Sequence, residues 1–465
     1  MHAKKALTTV LCLLLGGSLA LTGCSLAPAY TRPEAPVPTA WPGGPASSPP
    51  ADAPTGQEAA DLPWQAFFGD PQLQGLIKLA LEQNRSLRIA ALTIERSQAQ
   101  YQIKRAELVP KIDALSVVNN QAGTDQKYTV GLGVSAYEVD LFGRVRSLKD
   151  QALEQYLATE QAGRTVRISL VASVAAAALN LAGDRERLRL AGETLKAQQA
   201  SFALIRKRFE VGASSELDLQ QAQTQVDAAR VEVARATTLV AQDSNNLNLV
   251  VGTQVPDQLL PRTLPESPTA VRDLSPGLPS AVLMQRPDIL QAENQLKGFN
   301  ANIGAARAAY FPRIILLSTV GTRSDELSGL FKSGSDVWTF SPQIVLPIFD
   351  AGARSAQVEV AEKDRDIALA QYEQAIQTGF REVADALAQR GTLAEQWAAQ
   401  QALVTATAAR SLLAQARYDK GIDSSLEVLD AQRSLYSAQQ GLIAIRLTRL
   451  TNLVTLYKVL GGGNK

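Results

Sequence analysis

Arg208-Phe-Glu-Val-Gly212-Ala-Ser-Ser215-Glu-Leu217-Asp-Leu-Gln-Gln-Ala222-Gln223 aligns without a gap on Arg417-Tyr-Asp-Lys-Gly421-Ile-Asp-Ser424-Ser-Leu426-Glu-Val-Leu-Asp430-Ala431-Gln432, 209 residues further on. At the same offset Val250 and Gly252 fall on Val459 and Gly461. Upstream, Ala106-Glu-Leu-Val-Pro110-Lys-Ile112 matches Ala308-Ala-Tyr-Phe-Pro312-Arg-Ile314, and Asp140-Leu-Phe142-Gly143 matches Pro347-Ile-Phe349 with Gly352 after a short insertion. The chain is a tandem duplication. Its period is too long for a solenoid, so one large structural unit is made twice.

Prolines divide the chain. Ten of the 22 lie between Pro28 and Pro63, in a Gly-, Ala- and Ser-rich stretch that reads as an extended tether. None lies between Lys111 and Val255, and none from Ile348 onward. Proline costs a helix interior ~3 kcal/mol, so these tracts have room for very long helices. Each unit therefore predicts the same order. A helical stretch, Gln72 to Leu108 or Ser280 to Ala309, is closed by Pro110 or Pro312. Two strand-like runs follow, then a helix over Gly143 to Phe209 or Gly352 to Tyr418. Each of those spans 67 residues, or roughly 100 Å if continuous. A turn at Val211 to Ser215 or Lys420 to Ser424 leads to a return helix ending near Val251 or Leu460. Gly212 and Gly421 would close the long helices in a left-handed turn. Arg208 and Arg417 would cap their last carbonyls.

In the strands, Tyr128, Val130, Leu132, Val134 and Ala136 alternate with small or polar residues, as do Trp338, Phe340, Ile344 and Leu346. Their partners, Lys111 to Gln121 and Arg313 to Arg323, alternate less cleanly, and Ile314 to Leu317 is apolar on both faces. The runs suit tilted membrane-crossing strands of about 9–11 residues, though a soluble hairpin packed on helices has the same alternation. Loops Ala122 to Lys127 and Ser324 to Val337 are polar and fit an exposed tip. A membrane barrel must close, and four strands are too few. If they cross a membrane, several copies share one barrel. The small-residue run Val171 to Leu179 permits close helix contacts of the kind side-by-side helical walls require.

The first residues read as a secretory signal: a basic start at His2, Lys4 and Lys5, then an apolar core from Ala6 to Leu21. Leu21-Thr22-Gly23-Cys24 resembles a bacterial lipoprotein signal, which implies cleavage before Cys24 and a diacylglycerol and an N-acyl (palmitoyl) chain on that residue. Ser25 follows, so the implied address is the outer membrane. Removing residues 1–23 removes the only histidine, His2, and Cys12, one of two cysteines. Zinc sites of Cys and His, Ser-His-Asp triads and Cys-His dyads all lack parts, and no intrachain disulfide can form. Without Lys4 and Lys5, the 46 Lys+Arg become 44 against 45 Asp+Glu, and nothing suggests nucleic acid binding. No metal, cofactor or catalytic site is expected. No later stretch reads as a transmembrane helix; the best, Ile314 to Val320, is too short.

Together the signal, the duplication, two strands per repeat and the paired turn motifs make the chain similar to the outer membrane factor family, the TolC/OprM-like exit ducts of tripartite efflux pumps. The closing Leu456-Tyr-Lys-Val-Leu-Gly-Gly-Gly463 resembles the OprM branch. The resemblance runs from Trp64 to the C-terminus. It implies a mainly α fold with a membrane β-barrel contribution: tandem-duplicated long helical hairpins forming a trimeric α-barrel tunnel, and four β-strands per chain giving a shared twelve-stranded outer-membrane barrel. The expected organisation is a signal peptide (1–23), a lipid-anchored Pro-rich segment (24–70), a first repeat (71–252), an equatorial linker (253–279) and a second repeat (280–465).

The resemblance also implies a site. The turns after Phe209 and Tyr418 would lie at the periplasmic tip and dock an adaptor that links the duct to an inner-membrane RND-type pump, with Arg208, Gly212, Ser215, Leu217, Arg417, Gly421 and Ser424 at the docking tips. The helix after Gly421 would line the closed entrance. Leu426 matches an apolar constriction and Asp430, on the same helical face, an acidic ring. Glu427 matches a second acidic position, and Arg433 would pair with an acidic neighbour. Like charges around one axis repel, so links to basic partners are needed to keep the entrance shut, and a carboxylate ring attracts cations. The implied function is passive passage of small toxic compounds to the exterior, without chemistry. The alternatives are an exit duct for protein secretion and a lipid-anchored coiled-coil scaffold without a pore.

Overall fold

A computed structural model of the chain describes residues 25–42, 62–119, 127–265 and 283–463. The signal segment, Cys24, part of the tether, the tip of the first strand pair and residues 266–282 lie outside the described residues.

The elements follow the duplicated order. The first repeat has α1 (Trp64–Phe67), α2 (Pro71–Gln83), α3 (Arg85–Ala106), β1 (Asp113–Asn119), β2 (Lys127–Val139), α4 (Arg144–Glu210) and α5 (Glu216–Val251). The second has α6 (Pro287–Ala308), β3 (Arg313–Ser324), β4 (Asp336–Val345), α7 (Ala353–Asp419) and α8 (Ser425–Val459). Helices α4 and α7 are each 67 residues long, as the proline-free tracts predict, shifted by one residue.

Two expected helices differ. The stretch Gln72 to Leu108 is broken at Asn84, whose backbone is extended at ψ 129°. Asn84 closes α2 through its N–H on the Ala80 carbonyl (2.8 Å) and opens α3 by accepting the Leu87 N–H on its side chain (2.9 Å). Its amide also donates to the Val250 carbonyl, 2.7 Å away. There the chain passes Gly252, where φ is +88° and a Cβ would sit 2.5 Å from the Gln83 carbonyl oxygen. In the second repeat residues 283–285 are helical, but the helix is interrupted at Arg286 and resumes at Pro287, because the residue before a proline is pushed out of helical conformation.

The described residues fall into two compact units that do not follow the repeats. One takes those within 1–34, 92–161 and 290–374, including all four strands; the other takes those within 35–91, 162–289 and 375–465. The core of the second unit joins Phe67, Phe68, Leu76 and Ile77 to the small-residue run of α4 and the end of α8. Tyr457, buried in it, stacks on Phe67 with ring centroids 4.2 Å apart and donates its hydroxyl to the Leu62 carbonyl (2.9 Å). Arg446 binds Glu186 (3.0 Å) and the Leu264 carbonyl (2.9 Å), which holds the described part of the linker. Contrary to the sequence reading, α4 contains an 18-residue window long and apolar enough to cross a membrane, but 67% of it is buried inside the fold. It is a core helix.

The four strands form one antiparallel sheet in the order β1-β2-β3-β4. Cross-strand partners place Leu132, Val320 and Trp338 on one face, and Val134, Ser318 and Phe340 beside them. Leu132, Val320, Trp338, Phe340 and Ile344 are all exposed. The opposite face carries Thr129, Gly131, Gly133, Thr319 and Gly321, with Thr129 buried. A soluble hairpin would cover its apolar side; this sheet presents it outward, as a barrel wall presents it to lipid.

Between Val134 and Tyr137 one extra residue on β2 shifts the register. Simple alternation would have put Ala136, and then Glu138, on the apolar face. The bulge instead sets Tyr137 opposite Leu316 and Val139 opposite Ile314, and turns Glu138 to the polar face. There Glu138 pairs with Arg144 and Arg313, each at 2.7 Å.

Candidate functional site

Both hairpin turns close by the same device. Gly212 has φ +76° and Gly421 φ +71°. The Ala213 N–H donates to the Arg208 carbonyl (2.7 Å) and the Gly212 N–H to that of Phe209 (2.9 Å). The Ile422 and Gly421 N–H groups do the same to Arg417 and Tyr418, both at 2.9 Å. This is the Schellman arrangement, and it needs glycine because the turn residue is left-handed.

Beyond this shared backbone the repeats diverge. In the first, Ser215 caps α5 by accepting the Asp218 N–H (3.1 Å), and the Asp218 carboxylate returns to the Ser215 N–H (3.1 Å). Asp218 also accepts the hydroxyl of Ser425 (2.6 Å), so it ties the first turn to the start of α8. These hydroxyls, Ser425 first and then Ser215, hold its carboxyl below the ordinary range. In the second repeat the equivalent of Asp218 is Glu427. It lies 3.8 Å from Arg410, and Ser424 makes no side-chain cap.

The arginines do not cap the helix ends as expected. Arg208 sits over the Tyr418 ring, 4.6 Å from its centroid. Tyr418 itself packs on the small cluster of Ala414, Val428 and Ala431. Arg417 grips Asp423 through two bonds of 2.6 and 2.9 Å. The first repeat has Ser214 at the place of Asp423, which leaves Arg208 to the aromatic ring.

Asp430 stands between two guanidiniums. Its Oδ2 accepts from Arg410 (2.8 Å) and its Oδ1 from Arg433 (2.6 Å). These bonds, Arg410 first, hold the Asp430 carboxyl below its ordinary value of 3.8. The sequence reading anticipated an acidic partner for Arg433 but missed Arg410, which comes from α7 across the turn. Antiparallel helices bring residues at similar distances from Gly421 together, and that spacing was the available signal. At the equivalent positions the first repeat has Ser201, Gln221 and Thr224, so the charged cluster belongs to the second hairpin alone. Leu426, one turn before Asp430, is 55% exposed, an apolar side chain left open at the hairpin tip. Leu217 of the first repeat is likewise exposed.

The comparisons with known proteins fit this architecture. The family profile of the outer membrane efflux proteins matches residues 76–253 and 278–462. The antibiotic efflux pump outer membrane protein ArpC of Pseudomonas putida is 48% identical over 454 residues, covering 95% of this chain and 93% of its own. The toluene efflux pump outer membrane protein TtgC, also of Pseudomonas putida, is 48% identical over 454 residues with the same coverage of both chains. Among solved structures, the open state of the Neisseria gonorrhoeae MtrE outer membrane channel superposes with a TM-score of 0.85 at 38% identity, covering 95% of this chain and 99% of that one. The chain belongs to the outer membrane efflux protein family. It is an outer-membrane exit duct of an efflux pump and not an enzyme.

Proposed function

We propose that three copies of this chain close one duct that passes small toxic compounds, such as organic solvents and antibiotics, from a periplasmic adaptor and an inner-membrane RND-type pump to the exterior. The observation that carries this reading is the sheet. Its apolar face is exposed, and its two edge strands, β1 and β4, have no further strand beside them among the described residues. An unpaired edge cannot stay in a membrane, and four strands cannot close alone. Three copies give the twelve strands of a closed wall. The substrate class rests on the relatives, which are named for toluene and antibiotic efflux. The hairpin turns with Arg208, Gly212, Ser215, Leu217, Arg417, Gly421 and Ser424 are the docking tips for the adaptor. Leu426, Glu427, Asp430 and Arg433, with Arg410, form the gate, where the ion pairs offset the repulsion of three clustered carboxylates.

Cys24 is the lipid attachment site in this reading, and the path of residues 27–32 supports it. A Cβ on Gly304 would meet the Ala27 nitrogen at 2.7 Å, and Asn300 donates to the Pro28 carbonyl at 2.7 Å. Further along, Arg32 grips the buried Glu293 at 2.6 and 2.9 Å. Burial raises the Glu293 carboxyl, but Arg32 and Lys297 outweigh it and the net shift is downward. The segment thus runs antiparallel to α6, and its start lies beside the end of that helix, just before β3. An acyl chain there enters the membrane where the barrel begins.

Single-channel conductance in a planar bilayer tests the reading, with wild type and Asp430→Ala compared. A small wild-type conductance that rises in the variant is expected. No conductance from either protein would overturn both the duct and its gate.

A further inference from the structure

Resting on the barrel wall described above, we propose that the loop between β3 and β4 is a foot set in the outer leaflet of the membrane, with Phe331 and Leu327 among the lipid chains. Phe331 is 80% exposed and Leu327 is 67% exposed. Two large apolar side chains four residues apart on one loop carry a cost in water that a lipid surface removes.

The loop holds them out by a defined set of bonds. Across its neck the Arg323 N–H donates to the Ser335 carbonyl (2.8 Å). The Ser335 hydroxyl lies 2.9 Å from the Leu330 carbonyl and 2.8 Å from that of Lys332. Ser324 accepts the Glu326 N–H (3.2 Å), and a single 3-10 turn, Leu327–Gly329, follows. Leu330, between the two exposed residues, is buried at 3%. One apolar side chain closes the loop and two are left facing outward. The conformational entropy of ordering them is spent before any surface is met.

The register shows to which side of the wall the loop bends. Val320, Thr322 and Ser324 follow every second position along β3, on the apolar face shared with Leu132 and Trp338. Gly329 lies against the Ser324 side chain: a Cβ there would overlap the Ser324 hydroxyl and come within 3.3 Å of its Cβ. The loop therefore folds over the apolar face and away from the lumen. Val320 is 62% exposed, whereas the Thr322 hydroxyl oxygen is buried, so the cover begins at the rim. The apolar band of the wall thus runs into the loop without a gap, and that continuity identifies the occupant as lipid.

Composition sets the depth. Asp325, Glu326 and Lys332 are exposed on the same loop. Charged and aromatic side chains together suit the headgroup layer rather than the hydrocarbon. The Lys332 stem can lie along the chains with its ammonium at a phosphate. The first repeat has no equivalent in its sequence: Asn120-Gln-Ala-Gly-Thr-Asp-Gln126 contains no large apolar residue. The foot extends the hold of the sheet on the membrane at the outer ends of β3 and β4 and fixes how deep the wall sits.

The test places a nitrobenzoxadiazole label at Phe331→Cys in full-length protein carrying Cys24→Ala under an ordinary signal peptide. The protein is reconstituted into phosphatidylcholine vesicles in which part of the lipid bears a nitroxide high on its acyl chain, and iodide on both sides serves as the aqueous quencher. Trp338→Cys reports the wall, and Glu216→Cys, at the start of α5, reports water. Labels at 331 and 338 are expected to lose most of their emission to the nitroxide lipid and little to iodide, with the reverse at 216. Leu327→Cys reads the same surface if Phe331→Cys fails to fold. Quenching at the loop by iodide alone, with 338 quenched by lipid, overturns the foot and leaves the wall standing. Quenching there by neither agent means that protein covers the loop, which also overturns the foot. A label at 338 untouched by the nitroxide lipid overturns the wall and the foot together.

Discussion

Asp430 shows how much one side chain can be read from its neighbours. Arg410 and Arg433 keep its carboxylate charged, so a gate held by these pairs is insensitive to mild acid. The folded pKa lies below the ordinary value of 3.8, so the pairing is fully present above that value and is lost only as pH falls through the depressed one. Conductance is therefore expected to stay flat from neutral pH down to about pH 4 and to rise below it. A rise already near pH 6 (about the range of an unperturbed histidine) in bilayer recordings would show that another group holds the gate. The candidates Leu426, Asp430 and Arg433 came from the family resemblance, by their position after Gly421; their spacing on one helix, taken alone, reads as a core residue and a solvated charge. Arg410 was not legible, since its partner lies across a turn and nothing local to Arg410 distinguishes it from any other exposed arginine on a long helix.

Among the elements, the two hairpin turns offer a matched pair. Ser215 makes a capping box and Ser424 makes no side-chain cap, although the two align in sequence. Ser215→Ala is expected to cost about 1 kcal/mol at the start of α5. Ser424→Ala should cost much less. Amide hydrogen exchange of the first turn of α5 and of α8 measures both, and equal losses would contradict the asymmetry. The long helices were legible because the tracts contain no proline, and β2 and β4 because apolar residues alternate along them, whereas β1 and β3 alternate less cleanly. The break at Asn84 was not, because asparagine is tolerated within a helical pattern and only its bonds to Ala80, Leu87 and Val250 reveal the joint. Nor was the bulge in β2. The alternation continues through Ala136 on paper, and only the pairing with β3 shows that Tyr137 takes the place on the apolar face, opposite Leu316.

For the molecule as a whole, the membrane is engaged twice: by the sheet and, in our proposal, by the acyl chains on Cys24. The sheet dominates if its exposed apolar face is a barrel wall. Cys24→Ala carried by an ordinary secretory signal is expected to remain in the outer membrane and to require detergent for extraction. Release into buffer would mean that the lipid alone held the protein, as in a scaffold without a pore. The duplication was fully visible in the sequence, as was the number of strands. The interleaving of the repeats within the two compact units was not, since it arises from helices long enough to serve both.

The confinement of the charged cluster to the second hairpin has a mechanical consequence. The ring of three chains proposed above would present six hairpins at its mouth, and only every other one would carry the arginine-held aspartate, while the intervening ones carry Ser201, Gln221 and Thr224 instead. In the proposed ring, the ion pairs proposed to hold the entrance therefore alternate with hairpins that lack them, so closure rests on three of the six hairpins.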